Sequence, residues 1–169
     1  FLFGTDWSPR NVPASYGIFP MIVGSLYCTA GAIIIGVPIG LLTAIFMAKF
    51  CPKKLFKWLM PPISLLAGIP SIVYGFFGMV VVVPIIRNLF GGTGNSVLTV
   101  SIILGIMILP TIVGMSVSAL KAVPDSYYEG AVALGATHER AVATVVFPAA
   151  KSGILASVIL AVGRAIGET

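Results

Sequence analysis

The chain has 169 residues, of which 58% are hydrophobic and 9% charged, and its formal net charge is +5. Soluble domains carry about 25% charged residues, so a water-soluble globular domain is excluded. The apolar runs reach the roughly 20 helical residues that a bilayer crossing needs, which predicts an all-α polytopic membrane protein.

Residues 1–17 open with FLFGTDWSPRN and are expected to form an external segment, with Trp7 and Tyr16 suited to the membrane interface. Residues 18–169 are expected to form the transmembrane domain, starting with an apolar segment over 18–48. Pro20 fits its first helical turn and Pro38 should bend it. Lys49 to Lys57 follow as a compact basic loop. The second segment, from about Trp58 to Ile86, is longer than a straight crossing needs, and Pro61, Pro62, Gly68 and Pro70 punctuate its first half. It is predicted to be a short interfacial piece followed by a kinked span. Arg87 to Ser96, with Gly91, Gly92, Gly94 and Asn95, is a turn-rich loop. A third segment covers Val97 to Leu120, a polar insert occupies 121–151, and a fourth segment begins near Ser152. The chain starts on Phe1 and stops at Thr169 inside an apolar stretch, so about four spans of a longer protein are expected, the last one unfinished. An external start without a leader implies at least one further span upstream.

Lys and Arg counts set the orientation. The 49–57 loop holds Lys49, Lys53, Lys54 and Lys57, and the insert holds Lys121, Arg140 and Lys151. Two segments separate these connections, so they share a side, which carries seven basic residues against Arg10 and Arg87 opposite. That bias predicts a cytoplasmic insert.

The insert is long for a membrane-protein loop. Pro124 with Asp125 or Ser126 is a plausible helix start, and Glu129 lies early in that helix, where a carboxylate suits the dipole. Gly135 permits a sharp change of direction, and Thr137 can cap a second short helix with Arg140 near its exposed face. Two short helices at an angle make a knob for a partner's groove; an amphipathic loop lying on the bilayer is the plainer alternative. The spacing Glu129-Gly130-Ala131, then Gly135, then Val145-x-Phe147-Pro148 resembles the EAA loop of ABC-importer permeases, with Gly130 and Phe147 where that family has Ala and Leu. The resemblance favours docking onto an ATP-binding cassette ATPase.

Arg164 and Glu168 are charges inside the fourth apolar segment. Counted from Ser152, Arg164 lies about 18 Å along a helix, near mid-bilayer, and Glu168 one turn further. Each charge costs about 2.5–3.5 kcal/mol at the bilayer centre, so such residues usually face a cavity or a partner. At this spacing they can pair, and Gly163 and Gly167 let another helix approach. A structural salt bridge is one interpretation; an anion pathway, with the Arg fork binding an oxyanion, is the other.

Two cysteines, Cys28 and Cys51, do not make a disulfide framework, and His138 alone makes no metal site. The chain has no G-x-x-x-x-G-K-[ST], G-x-S-x-G or H-E-x-x-H signature, so ATP binding and hydrolase chemistry are not expected of it. An intramembrane hydrolase using a Ser or Glu168 lacks a base or metal partner in the sequence, and a passive scaffold leaves the costly Arg164 and Glu168 without purpose. No cofactor, metal or nucleic-acid partner is expected.

Beyond the insert, FLFGTDWSP, AGIPSIVYGFFG (67–78), LGIMILPTI (104–112) and GRAIGET (163–169) resemble the permease subunits of the phosphate-specific (Pst) ABC importer, the C-type more than the A-type. The resemblance implies a type I importer-like helical fold in a bacterial or archaeal cytoplasmic membrane. It also implies a sister A-type permease subunit, ATP-binding cassette ATPase subunits and an external phosphate-binding protein as partners. Phosphate is then the cargo, with Arg164 and Glu168 in its pathway and Glu129, Gly130, Ala131, Gly135 and Pro148 in ATPase coupling. Another oxyanion, such as sulfate or molybdate, is the alternative cargo.

Overall fold

A computed structural model describes residues 2–10 and 15–169; of the expected external segment, positions 1 and 11–14 lie outside the described residues. Trp7–Ser8 (β1) pairs antiparallel with Ser15–Tyr16 (β2), and the Trp7 and Tyr16 rings meet edge to face at 5.8 Å. Asp6 accepts hydrogen bonds from Ser15 Oγ at 2.6 Å and Ser8 Oγ at 2.9 Å, which hold its carboxyl below the usual carboxylate range. This small ribbon is the one departure from helix-and-turn structure among the described residues.

The first span, α1 (Phe19–Ile45), starts with Pro20 in its first turn and keeps Pro38 inside. It runs on through a π-helical turn, Phe46–Phe50, that ends at Cys51. Only Cys51 and Pro52 then interrupt the helix, because α2 (Lys53–Ala67) begins within the expected basic loop. Lysine is a good helix former, and Phe56, Leu59, Met60 and Ile63 recur at helical spacing to pack on the core. The expected interfacial piece is therefore a full helix running antiparallel along α5 (Val97–Ala122): Lys121 caps the Phe56 ring at 3.3 Å, and Tyr74, further along the chain, packs beside Leu104 and Met107. Gly68 to Pro70 break the path, and Ser71–Phe77 (α3), a π turn at Gly78–Val82 and Val83–Phe90 (α4) complete that crossing.

The centre of the bundle is α5, half of whose most apolar stretch is buried, against 28% for the first span and 22% for Ser71–Phe90. Its parallel neighbour α1 comes close through glycines. A Cβ on Gly36 would stand 2.9 Å from Ile108, and one on Gly40 2.8 Å from Ile112. The antiparallel neighbour α9 (Lys151–Glu168) buries Ile154, Ser157, Ala161 and Ala165. Ser116 and Ser157 hydroxyls meet at 2.8 Å in this seam, each fully buried, so neither polar group is left unsatisfied in an apolar interior. Among the described residues, three helices are long and apolar enough to cross a membrane, and a fourth crossing is reached if the bent pair His138–Ala149 and Lys151–Glu168 counts as one.

Candidate functional site

The insert folds as the residue chemistry dictates. Pro124 precedes α6 (Asp125–Ala133), with Asp125 in the first turn where it complements the helix dipole. Leu134 and Gly135 turn the chain, Gly135 at φ +87°, a conformation glycine adopts without steric cost. Thr137 Oγ1 then accepts from the Arg140 N–H at 3.4 Å and caps α7 (His138–Ala141). The second helix is longer than the spacing implied. A π turn at Val142–Val146 and α8 (Phe147–Ala149) extend it to Ala150, where it bends by 68° into α9. Pro148 therefore lies inside the helical arm and does not close a loop.

Glu129 and Gly130 are exposed on α6, Ala131 is half-buried beside them, and Gly135 is exposed at the turn. Leu134 projects from the turn with 91% of its surface free, and Val132 is also exposed. On the opposite side, Val146 and Ala150 are buried against Ala44, Met47, Val117 and Leu120, and Val142 is buried as well. The knob is thus bolted to the bundle on one side and presents uncovered apolar surface on the other.

Sequence reasoning gave His138 no role beyond an excluded metal site. In the structure its Nδ1 is 2.9 Å from the Tyr128 hydroxyl and its Nε2 is 3.1 Å from the Lys49 carbonyl oxygen. Phe50 and Tyr128 meet the imidazole edge to face at 4.8 and 5.5 Å. The two basic connections therefore touch, at one end of the bundle. Partners 89 positions apart are invisible to local pattern.

The second candidate site is on α9. Arg164 is half-buried, and its Nη1 donates to Thr111 Oγ1 at 3.4 Å across the α5–α9 seam. Glu168, one turn on, is exposed and lines a cavity of about 650 Å³ with Ser71, Tyr74, Thr99 and Met107. The expected pairing is not made: among the described residues no ion pair joins Arg164 to Glu168, because Arg164 reaches α5 while Glu168 faces the cavity beside α3. No group of acidic, Cys or His side chains able to hold a metal occurs among the described residues.

Comparison with known proteins fits this architecture. The chain is 43% identical over 169 residues to a probable ABC transporter permease protein, YqgH, of Bacillus subtilis, covering 99% of this chain and 55% of that protein. It is 36% identical to the phosphate transport system permease protein PstC of Mesorhizobium japonicum and 37% to that of Haemophilus influenzae, covering all of this chain and 57% and 59% of those proteins. The chain thus spans little more than half the length of these curated relatives. A solved structure, the inward-facing MetNI methionine ABC transporter, superimposes with a TM-score of 0.66 at 21% identity, covering 89% of this chain and 68% of that one, and so shares the fold. The model of the binding-protein-dependent transport system inner membrane component family matches residues 36–169, which include α5, the whole insert and α9: the chain belongs to this family of multi-pass inner membrane proteins.

Proposed function

We propose that the chain is the membrane-spanning part of a permease subunit of an ATP-driven phosphate importer. The observation that carries this reading is the 36–37% identity to phosphate permeases along the entire chain. The permease makes and breaks no covalent bond; ATP is hydrolysed by a separate ATP-binding cassette subunit. Residues 1–17 lie outside the cell, 18–169 form the transmembrane domain, and 121–151 face the cytoplasm, in keeping with the side richer in Lys and Arg. The uncovered apolar tip at Leu134 and Val132, with Glu129, Gly130, Ala131 and Gly135 behind it, fits a groove on the ATPase. Pro148 stiffens the arm that leads from this tip to α9. A sister A-type permease covers the open side of the bundle, and an external phosphate-binding protein delivers the cargo.

Arg164 supplies the cation for the passing oxyanion. Its partner, Thr111, is neutral and contributes one long bond, so the guanidinium keeps donors for an anion. Glu168, exposed on the adjoining cavity, sets how strongly the anion is held. Arg164→Gln, in full-length permease reconstituted with its partners in proteoliposomes, should lower ATP-driven phosphate uptake by about tenfold or more, the worth of a charge-assisted hydrogen bond, with assembly intact. Uptake at the unaltered rate would overturn the pathway role. Uptake of labelled sulfate or molybdate in preference to phosphate would move the cargo to the other oxyanions.

A further inference from the structure

We propose that His138 is a positioning residue that clamps the insert to the end of the first span, so that movement of the knob reaches α1 as well as α9. The inference rests on the transport reading above. Lys49 lies in the terminal π turn of the first span, where the last carbonyls have no following helical N–H to accept. His138 Nε2 is 3.1 Å from the Lys49 oxygen. A carbonyl can only accept, so Nε2 carries the proton and donates, which fixes the tautomer of the neutral ring. Nδ1 is then the lone-pair nitrogen and accepts from the Tyr128 hydroxyl at 2.9 Å. Tyr128 belongs to α6, His138 is the first residue of α7 and Lys49 lies in the π turn that closes the first span, so one imidazole joins three elements.

The surroundings hold the ring in that pose. Phe50 and Tyr128 flank it edge-on, and the Thr137 cap sets the direction in which α7 launches the side chain. Phe147, Val146 and Tyr128 add apolar packing around the same core, but apolar contacts tolerate sliding, whereas hydrogen bonds are directional. The insert is joined to α9 covalently through Ala150. His138 adds a directional polar link to the end of the first span, whose α1 also packs on α5, so two of the helices packed on the central one answer to the same input. A knob tied to α9 alone would pull on one side of the bundle.

The test uses full-length permease assembled with its sister, ATPase and binding protein, and reads ATP hydrolysed per phosphate imported. His138→Phe keeps an aromatic ring between Phe50 and Tyr128 but removes both hydrogen bonds. It should raise the ratio at least about fivefold, the fold-change of one lost hydrogen bond of ordinary strength, since two are removed. His138→Gln restores a donor towards Lys49 and should return the ratio to within about twofold of the unaltered complex. Tyr128→Phe should act in the same direction as His138→Phe and add little to it in the double variant, because the two share one network. An unchanged ratio in His138→Phe, or no rescue by Gln, overturns the clamp. Should His138→Phe fail to assemble, Tyr128→Phe decides alone: a raised ratio supports the clamp and an unchanged one overturns it. A complex that imports no phosphate would overturn the transport reading instead. The clamp is then decided by hydrogen exchange in the purified permease: faster exchange around residues 49–54 in His138→Phe supports it, and equal exchange overturns it.

Discussion

Two glycine pairs at the same spacing, Gly36 with Gly40 in α1 and Gly163 with Gly167 in α9, have opposite fates in this bundle. A Cβ at Gly36 or Gly40 meets Ile108 or Ile112 at 2.9 or 2.8 Å, whereas one at Gly163 or Gly167 meets no atom within 4 Å. The first pair is spent on the fold itself, drawing α1 onto α5. The second lies on a face of α9 that exposes Leu155, Ile159 and Leu160, while the opposite face holds Ser157, Ala161 and Ala165 in the core. A small-residue pair marks a helix that can be approached closely, but does not say whether the approaching helix comes from the same chain.

Substitutions can break or sharpen this contrast. The largest effect is expected for Gly40→Val, which forces a branched side chain into Ile112 and should cost about 1–3 kcal/mol, read as a lower Tm of the detergent-purified permease. An unchanged Tm would mean the α1–α5 seam is looser than its geometry. Gly135→Val separates crowding from backbone strain, since a Cβ there also meets no atom within 4 Å but the residue sits at φ +87°. It should cost about 1–2 kcal/mol locally and uncouple ATP hydrolysis from uptake while leaving membrane insertion intact. Ser116→Ala tests the covered face of α9. Because Ser157 keeps its bond to the Ile154 carbonyl at 2.7 Å, the loss should be only about 0.6 kcal/mol. Gly163→Val should move the stability of the isolated permease by no more than about 0.5 kcal/mol, yet, if the proposed sister subunit docks on this face, reduce its co-purification. A large Tm loss in that variant would show that the open face is already occupied within this protein's own fold.

The helical class, the positions of three crossings and the turn chemistry of the insert were legible because they rest on local signals: apolar run length, Pro124 before a helix, a glycine at the turn and a threonine cap. The start of α2 was obscured by its lysines and by Pro61 and Pro62, which suggest interruption but lie inside the helix. Each proline deletes one N–H, and the carbonyls it leaves open, at Lys57 and Trp58, belong to the lysine-rich end of the helix, where water or headgroups can bond them. The π turns at 46–50, 78–82 and 142–146 have no sequence signature of their own, although the kinked span expected in the second segment is there as the Ser71–Phe90 crossing. At the charged site the one-turn spacing of Arg164 and Glu168 allowed a pair, but Thr111 on α5 draws the guanidinium away. Only tertiary structure holds that information, as it holds the contact of His138 with Lys49.

The bend at Ala150 has a mechanical consequence. Residues 138–149 form a stiff arm set at 68° to α9, and twelve helical residues extend about 18 Å. A tilt of about 10° at the elbow would sweep the far tip through about 3 Å, so the arm has the geometry of a lever whose long side belongs to the insert. Read in the other direction, a stroke of a few ångströms at the tip becomes a small rotation of α9 about its own packing seam. Carried along the same rod, that rotation would swing the Arg164 guanidinium towards or away from Thr111 with no change in the helix itself.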